Sequence, residues 1–175
     1  VPTRYAAYGD IVRYAPADGL YVDRNGDGAP EAAIGRLPVR SIAELQQLLA
    51  KSAAAAAPRR ALLVSPADES DAPFRAVHEG FAARWPAGWT LGRAYVDEIG
   101  LDPTRSALGS ALNQRLGVLS FVGHSAPTQW SFDPILSTAD LAGRSGLADL
   151  VVQWGCWNSY FVAPTANTLA HGFLL

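Results

Sequence analysis

The stretch Val118-Leu119-Ser120-Phe121-Val122-Gly123-His124-Ser125 decides the fold. Its first five residues form a short, mostly apolar run, the pattern of a strand buried on both faces, and the run stops at a glycine followed by a histidine and a serine. The same pattern recurs on either side. Arg60 to Ser65, centred on Ala61-Leu62-Leu63-Val64, predicts a first strand, and Trp89 to Val96 a second, partly alternating one. Leu150 to Trp154 predicts a fourth, which runs out into Gly155-Cys156-Trp157.

Helical segments separate these runs. Ser41-Ile42-Ala43-Glu44 has the S-x-x-E form of a capping box and opens an apolar-periodic segment that stops before Pro58. Asp71 and Pro73 suit a helix start, with Phe74, Val77, His78 and Phe81 at helical spacing after them. Asp102-Pro103 supplies an N-cap and a first-position proline for a helix over 103–116. A short helix is expected over 138–145, and Pro164 opens a last amphipathic segment with Leu169, Ala170, Phe173 and Leu174 along one side. Strands alternating with helices predict an α/β fold, a mostly parallel sheet with helices on both faces. Ligands of such sheets sit beyond the carboxyl ends of the strands. Residues 41–175 form this core, whereas residues 1–40, rich in Tyr, Gly, Pro and Asp, predict an irregular segment.

Composition narrows the function. Fourteen basic against sixteen acidic residues, a net charge of -2, lack the basic footprint of a nucleic-acid binder. No apolar run approaches the roughly 18 residues a membrane span needs, and five Trp, six Tyr and six Phe exclude a disordered chain. There is no Met, so Val1 is not a translational start and a signal peptide would lie upstream of it. The lone Cys156 has no partner for an internal disulfide.

Its neighbours suggest a use. Gly123-His124-Ser125 and Gly155-Cys156-Trp157 each follow a predicted strand, and neighbouring strands lie about 4.8 Å apart. An imidazole and a thiol at the same level would then form a cysteine–histidine dyad, in which the base promotes the thiolate and returns the proton to a leaving amine. The backbone N–H of Cys156 and one from the turn at Gly123 to Ser125 would face a developing oxyanion. The alternative is a buried cysteine and a loop histidine that never meet.

Phe121-Val122-Gly123-His124-Ser125-Ala126-Pro127-Thr128-Gln129-Trp130, followed by Val151-Val152-Gln153-Trp154-Gly155-Cys156-Trp157-Asn158, resembles the catalytic core of the gingipain-type cysteine peptidases, which share a clan with caspases. The segment from Tyr21 to Glu31, running into Ile34-Gly35-Arg36-Leu37-Pro38-Val39, resembles the same family in the same order. The spacing from His124 to Cys156 is shorter than the roughly 50 residues typical of caspases, so the gingipain pattern fits better. The resemblance implies a caspase-like fold, endopeptidase chemistry on a polypeptide substrate through a thioester acyl-enzyme, His124 as general acid/base and Cys156 as nucleophile. It also implies secretion or display at a bacterial cell surface, and an incomplete domain with flanking sequence at both ends. Ser125 stands where many relatives have glycine.

Within that pattern Asp68 takes the place of an acidic residue supporting the histidine, though an N-cap or a plain loop carboxylate suits it equally. Asp71 takes the place of an acidic residue that would select a basic P1 side chain, and a helix-cap role explains it just as well. Catalysis of this kind needs no cofactor. Asp23, Asn25 and Asp27 with Gly28 have the spacing of the first half of a calcium loop, with Glu31 at the ninth position and Asp10 or Asp18 as further donors. The twelfth position is Ile34, so this is no EF-hand. Structural calcium is expected here, the alternative being an Asx-rich turn without an ion. Zinc is not expected, since three His and one Cys show no ligand spacing. His78 and His171 are expected at a surface or core edge, and Trp130 and Trp157 as packing around the dyad. Two other functions stay open: a sortase-like transpeptidase, which resolves the acyl-enzyme with an amine, and an inactive calcium-stabilised binding or structural module.

Overall fold

Leu63, Val64, Leu119 and Phe121 are fully buried and mark the two middle strands of a parallel sheet. The computed structural model describes residues 2–7, 15–53, 58–144, 148–163 and 165–175. In chain order its elements begin with β1 (Tyr5–Ala6), β2 (Ala15–Pro16), a 3-10 turn (Asp18–Tyr21) and α1 (Ile42–Ser52). Next come β3 (Arg60–Ser65), α2 (Phe74–Ala82), β4 (Thr90–Tyr95), α3 (Val96–Ile99), α4 (Leu101–Asn113) and β5 (Leu116–Val122). The chain continues through β6 (Ser125–Ala126), β7 (Gln129–Trp130), β8 (Leu136–Ser137), α5 (Thr138–Leu141), β9 (Ala148–Trp154) and α6 (Leu169–Leu174).

The central sheet has the order β4-β3-β5-β9, parallel throughout. From β3 the chain passes outward to β4, returns across to β5, and then proceeds outward the other way to β9. Strand order therefore reverses between β3 and β5, and their carboxyl ends flank the crevice where such sheets bind ligands. Every residue of β5 is buried, which explains its unbroken apolar run. One face carries Leu62, Val64, Leu119 and Phe121, packed with Leu108 and Leu112 of α4, Trp130 of β7 and Leu169 and Phe173 of α6. Each fully buried leucine there contributes roughly 1.5–3 kcal/mol. α2 packs on the other face, and its His78 Nε2 lies 3.0 Å from Ser120 Oγ of β5. The expected α/β architecture with helices on both faces is present.

Several boundaries differ from expectation. α4 begins at Leu101 because Gly100, at φ 84, breaks it from the single turn of α3. Pro103 is tolerated as the third helical residue, where its missing N–H is one the helix leaves unpaired anyway. Asp102 is no cap; it pairs with Arg105 at 3.2 Å. Ser41 caps α1 by accepting from Glu44 N at 3.1 Å, but the Glu44 carboxylate accepts from Arg40 N at 2.6 Å, so the box closes one residue early. The helix expected over 138–145 is a single turn, closed by a box between Ser137 and Asp140. The start expected at Pro164 lies outside the described residues, and α6 is instead capped by Thr168.

Candidate active site

β5 ends at Val122 in register with Trp154, the last residue of β9, so the segments that follow leave the sheet side by side. The Gly123 N–H donates to the Trp154 carbonyl at 3.1 Å, adding one rung to the ladder. That N–H is thereby engaged in the sheet and is not an oxyanion donor, which corrects the expectation for Gly123. His124 and Cys156 stand just beyond this rung. Ser125 opens β6 and pairs with Trp130 in extended conformation. Its hydroxyl donates to the Cys156 carbonyl at 2.5 Å and accepts from Asn158 Nδ2 at 3.0 Å. Gly155 is confined by this arrangement: a Cβ there would fall 2.3 Å from Ser125 Oγ and 2.8 Å from the Gly123 carbonyl.

Cys156 is a free, exposed thiol. The His124 ring is held by two phenylalanines, Phe74 edge-on at 5.4 Å and Phe132 tilted at 5.2 Å. Its carbonyl accepts from Ser131 N at 2.8 Å. The carboxylate facing the imidazole is Glu69, with Oε2 3.6 Å from His124 Nε2. Asp68 does something else. Its Oδ1 accepts from Arg75 N in the first turn of α2 at 2.8 Å, and its own N–H donates to Asp97 Oδ2 at 2.8 Å. Adjacent side chains of extended backbone diverge, so only one of the two acids after β3 turns toward the histidine. The signal for Glu69 was present as an acidic pair at the strand end, but the direction of each side chain was not. Glu69 also bridges to Ala72, and Asp71 is exposed at the tip of that turn. Pro73 occupies the N-cap position of α2, and the carboxylate that accepts from its first turn is Asp68 rather than Asp71.

Trp130 is fully buried, stacked on Phe121 at 4.5 Å, with Nε1 donating to Gln153 Oε1 at 2.8 Å. Trp157 is exposed and has φ 62, a left-handed conformation rare for a residue other than glycine. His78, expected at a surface or core edge, is instead fully buried, stacked on Tyr95 at 6.0 Å, and burial pushes its pKa down to about 4. His171 is partly buried, 3.6 Å from Glu44.

In the amino-terminal segment, carboxylate oxygens of Asp23, Asp27 and Glu31 all lie within 4.8 Å of one another. The turn is also closed by its own bonds: Asp23 accepts from Gly26 N and Gly28 N, and Asn25 Oδ1 accepts from Asp27 N at 3.0 Å. Asn25 thus folds the turn through its carbonyl oxygen. Asp18 is paired with Arg36 at 2.9 Å, which also lowers the Asp18 pKa, and Asp10 lies outside the described residues. Hard oxygen donors converging in this way suit calcium better than zinc.

Among the described residues no helix is long and apolar enough to cross a membrane. Comparison with curated proteins gives no match. Among solved structures, the chain is similar to the complex of Porphyromonas gingivalis RgpB pro- and mature domains, at 16% identity and a TM-score of 0.70. The match covers 91% of this chain and 41% of that one, so the chain spans less than half the length of the structure it resembles. The model of Peptidase family C25 matches residues 1–175, and with the histidine and cysteine turns joined on one sheet edge, the chain belongs to that family, the gingipain family of cysteine peptidases.

Proposed function

We propose that this chain carries the dyad of a secreted cysteine endopeptidase. Cys156 Sγ attacks the scissile carbonyl, the C–N bond breaks as His124 gives its proton to the leaving amine, and water, deprotonated by His124, then hydrolyses the thioester. Glu69 orients and supports the imidazole, and the N–H groups of Cys156 and Ser125 face the oxyanion. The observation that supports this most is the joining of the two turns, in which Ser125, next to His124, bonds the Cys156 carbonyl at 2.5 Å. Substrates are polypeptides, and Asp71, exposed on the loop that carries Glu69, favours a basic P1 residue.

Peptidyl acyloxymethyl ketones with Arg, Lys or Leu at P1 test this on the folded, full-length protein, with the label mapped by mass spectrometry. Label on Cys156, fastest with Arg or Lys, is expected. An unlabelled Cys156 removes the peptidase and leaves a binding module, and transfer of a peptide substrate's acyl group to an added amine in preference to water replaces the hydrolase with a transpeptidase.

Calcium is proposed as a structural ion held by Asp23, Asp27 and Glu31, the three carboxylates that converge within 4.8 Å. It would neutralise their mutual repulsion and fix the segment. At a concentration about 100 times its Kd it should stabilise the fold by about 2.7 kcal/mol. Thermal melts with calcium and with chelator, on wild type and Asp27→Asn, check this; an unchanged wild-type Tm sinks it.

A further inference from the structure

We propose that the side chains of Ser125 and Asn158 are positioning residues that clamp the nucleophile's turn to the histidine's turn, an inference that rests on the cysteine peptidase reading. The Ser125 hydroxyl works in both directions, donating to the Cys156 carbonyl at 2.5 Å and accepting from Asn158 Nδ2 at 3.0 Å. Asn158 is 3% exposed, so its amide has no ready access to water as a substitute partner. The Asn158 backbone carbonyl in turn accepts from Ala170 N at 3.0 Å, while Leu169 N donates to the Pro127 carbonyl at 2.8 Å. The first turn of α6 is thereby fastened to both loops, and the hydroxyl closes the ring between them.

Two further features follow from the clamp. Trp157, between the clamped carbonyl of Cys156 and the anchored Asn158, sits at φ 62, a conformation that persists only where the surroundings over-determine it. Gly155 has no side chain, and a Cβ at that position would fall 2.3 Å from Ser125 Oγ and 3.0 Å from Asn158 Nδ2, displacing the pair. The hydrogen-bond partners of the hydroxyl are the Cys156 carbonyl and the Asn158 amide. Its effect runs through the backbone of Cys156, on which the direction of the Cα–Cβ bond depends.

Ser125→Ala removes the hydroxyl and leaves the buried Asn158 amide unpaired, whereas Ser125→Thr keeps the hydroxyl in a strand conformation that a β-branched residue favours. The expected result for Ser125→Ala is a kcat lower by on the order of 10²-fold, as for a reacting group displaced by about 1 Å, with KM changed by less than about threefold. Ser125→Thr should recover most of kcat. Amide hydrogen exchange in the folded protein should quicken about tenfold at residues 155–158 in Ser125→Ala and stay unchanged in β3 and β5. Wild-type exchange at 155–158 in Ser125→Ala overturns the clamp, and so does faster exchange spread evenly across the sheet. Exchange needs no turnover: a wild-type protein without peptidase activity, combined with the localised increase in Ser125→Ala, removes the enzymatic reading and supports the clamp.

Discussion

Cys156→Ala is expected to abolish turnover, a fall on the order of 10⁶ in kcat, with His124→Ala nearly as severe. The double variant should be no slower than Cys156→Ala, because without a thiol the imidazole has no proton to accept. Glu69→Gln should cost less, about tenfold to a hundredfold. Neutralising a buried, directly bonded orienting carboxylate costs about 10⁴, but Glu69 is 49% exposed and 3.6 Å from the ring, where water shares its field. Asp68→Ala should leave kcat intact and remove the carboxylate that accepts from the first turn of α2, at about 1 kcal/mol. Steady-state kinetics on a peptide amide with a basic P1 residue, together with urea unfolding, separate the five variants. A larger kcat loss in Asp68→Ala than in Glu69→Gln would transfer the orienting role to Asp68 and contradict the geometry.

Acid should destabilise the domain through His78. Burial lowers the His78 pKa from 6.5 to about 4, so between these values the unfolded chain binds a proton that the folded chain refuses. Stability therefore rises with pH in this window and is lost as pH falls from about 6.5 to about 4, by about 3 kcal/mol over the whole interval. Glu79, held down by Arg93 and then by Tyr95, contributes in the same direction only below its ordinary 4.5. Urea unfolding at about pH 7 and pH 4.5 should give a large difference for wild type and a much smaller one for His78→Gln. The glutamine amide can still reach Ser120 and carries no charge. An equal acid loss in both proteins would show that His78 does not carry it.

How much of this was legible in the sequence depended on whether a residue's role is set by local pattern. The strands at Arg60 to Ser65 and at Val118 to Val122 were readable because burial on both faces writes a continuous apolar run. β9 starts two residues earlier than its apolar run, since Asp149 enters the strand to pair with Arg115 at 2.9 Å, a contact that no window around 148 contains. The hairpins of β6, β7 and β8 were invisible, as strands of two residues have no period to detect. At the site, the glycine–histidine and glycine–cysteine pairs stood out by their position after strands. Choosing between Asp68 and Glu69 required the direction of two successive side chains, and the loss of the Gly123 N–H required knowing that the ladder runs one rung past Val122. His78 looked like an edge residue because its spacing put it on a helix, yet nothing in that spacing said that Ser120 and Tyr95 would enclose it.

The sheet order has a mechanical consequence for the reaction. The proposed general base is rooted in β5, a strand buried along its whole length, and the proposed nucleophile in β9, which pairs with β5 among the described residues. The two turns are therefore borne by one pair of directly bonded parallel strands, and the spacing of imidazole and thiol is set by the ladder between β5 and β9 rather than by the loops alone.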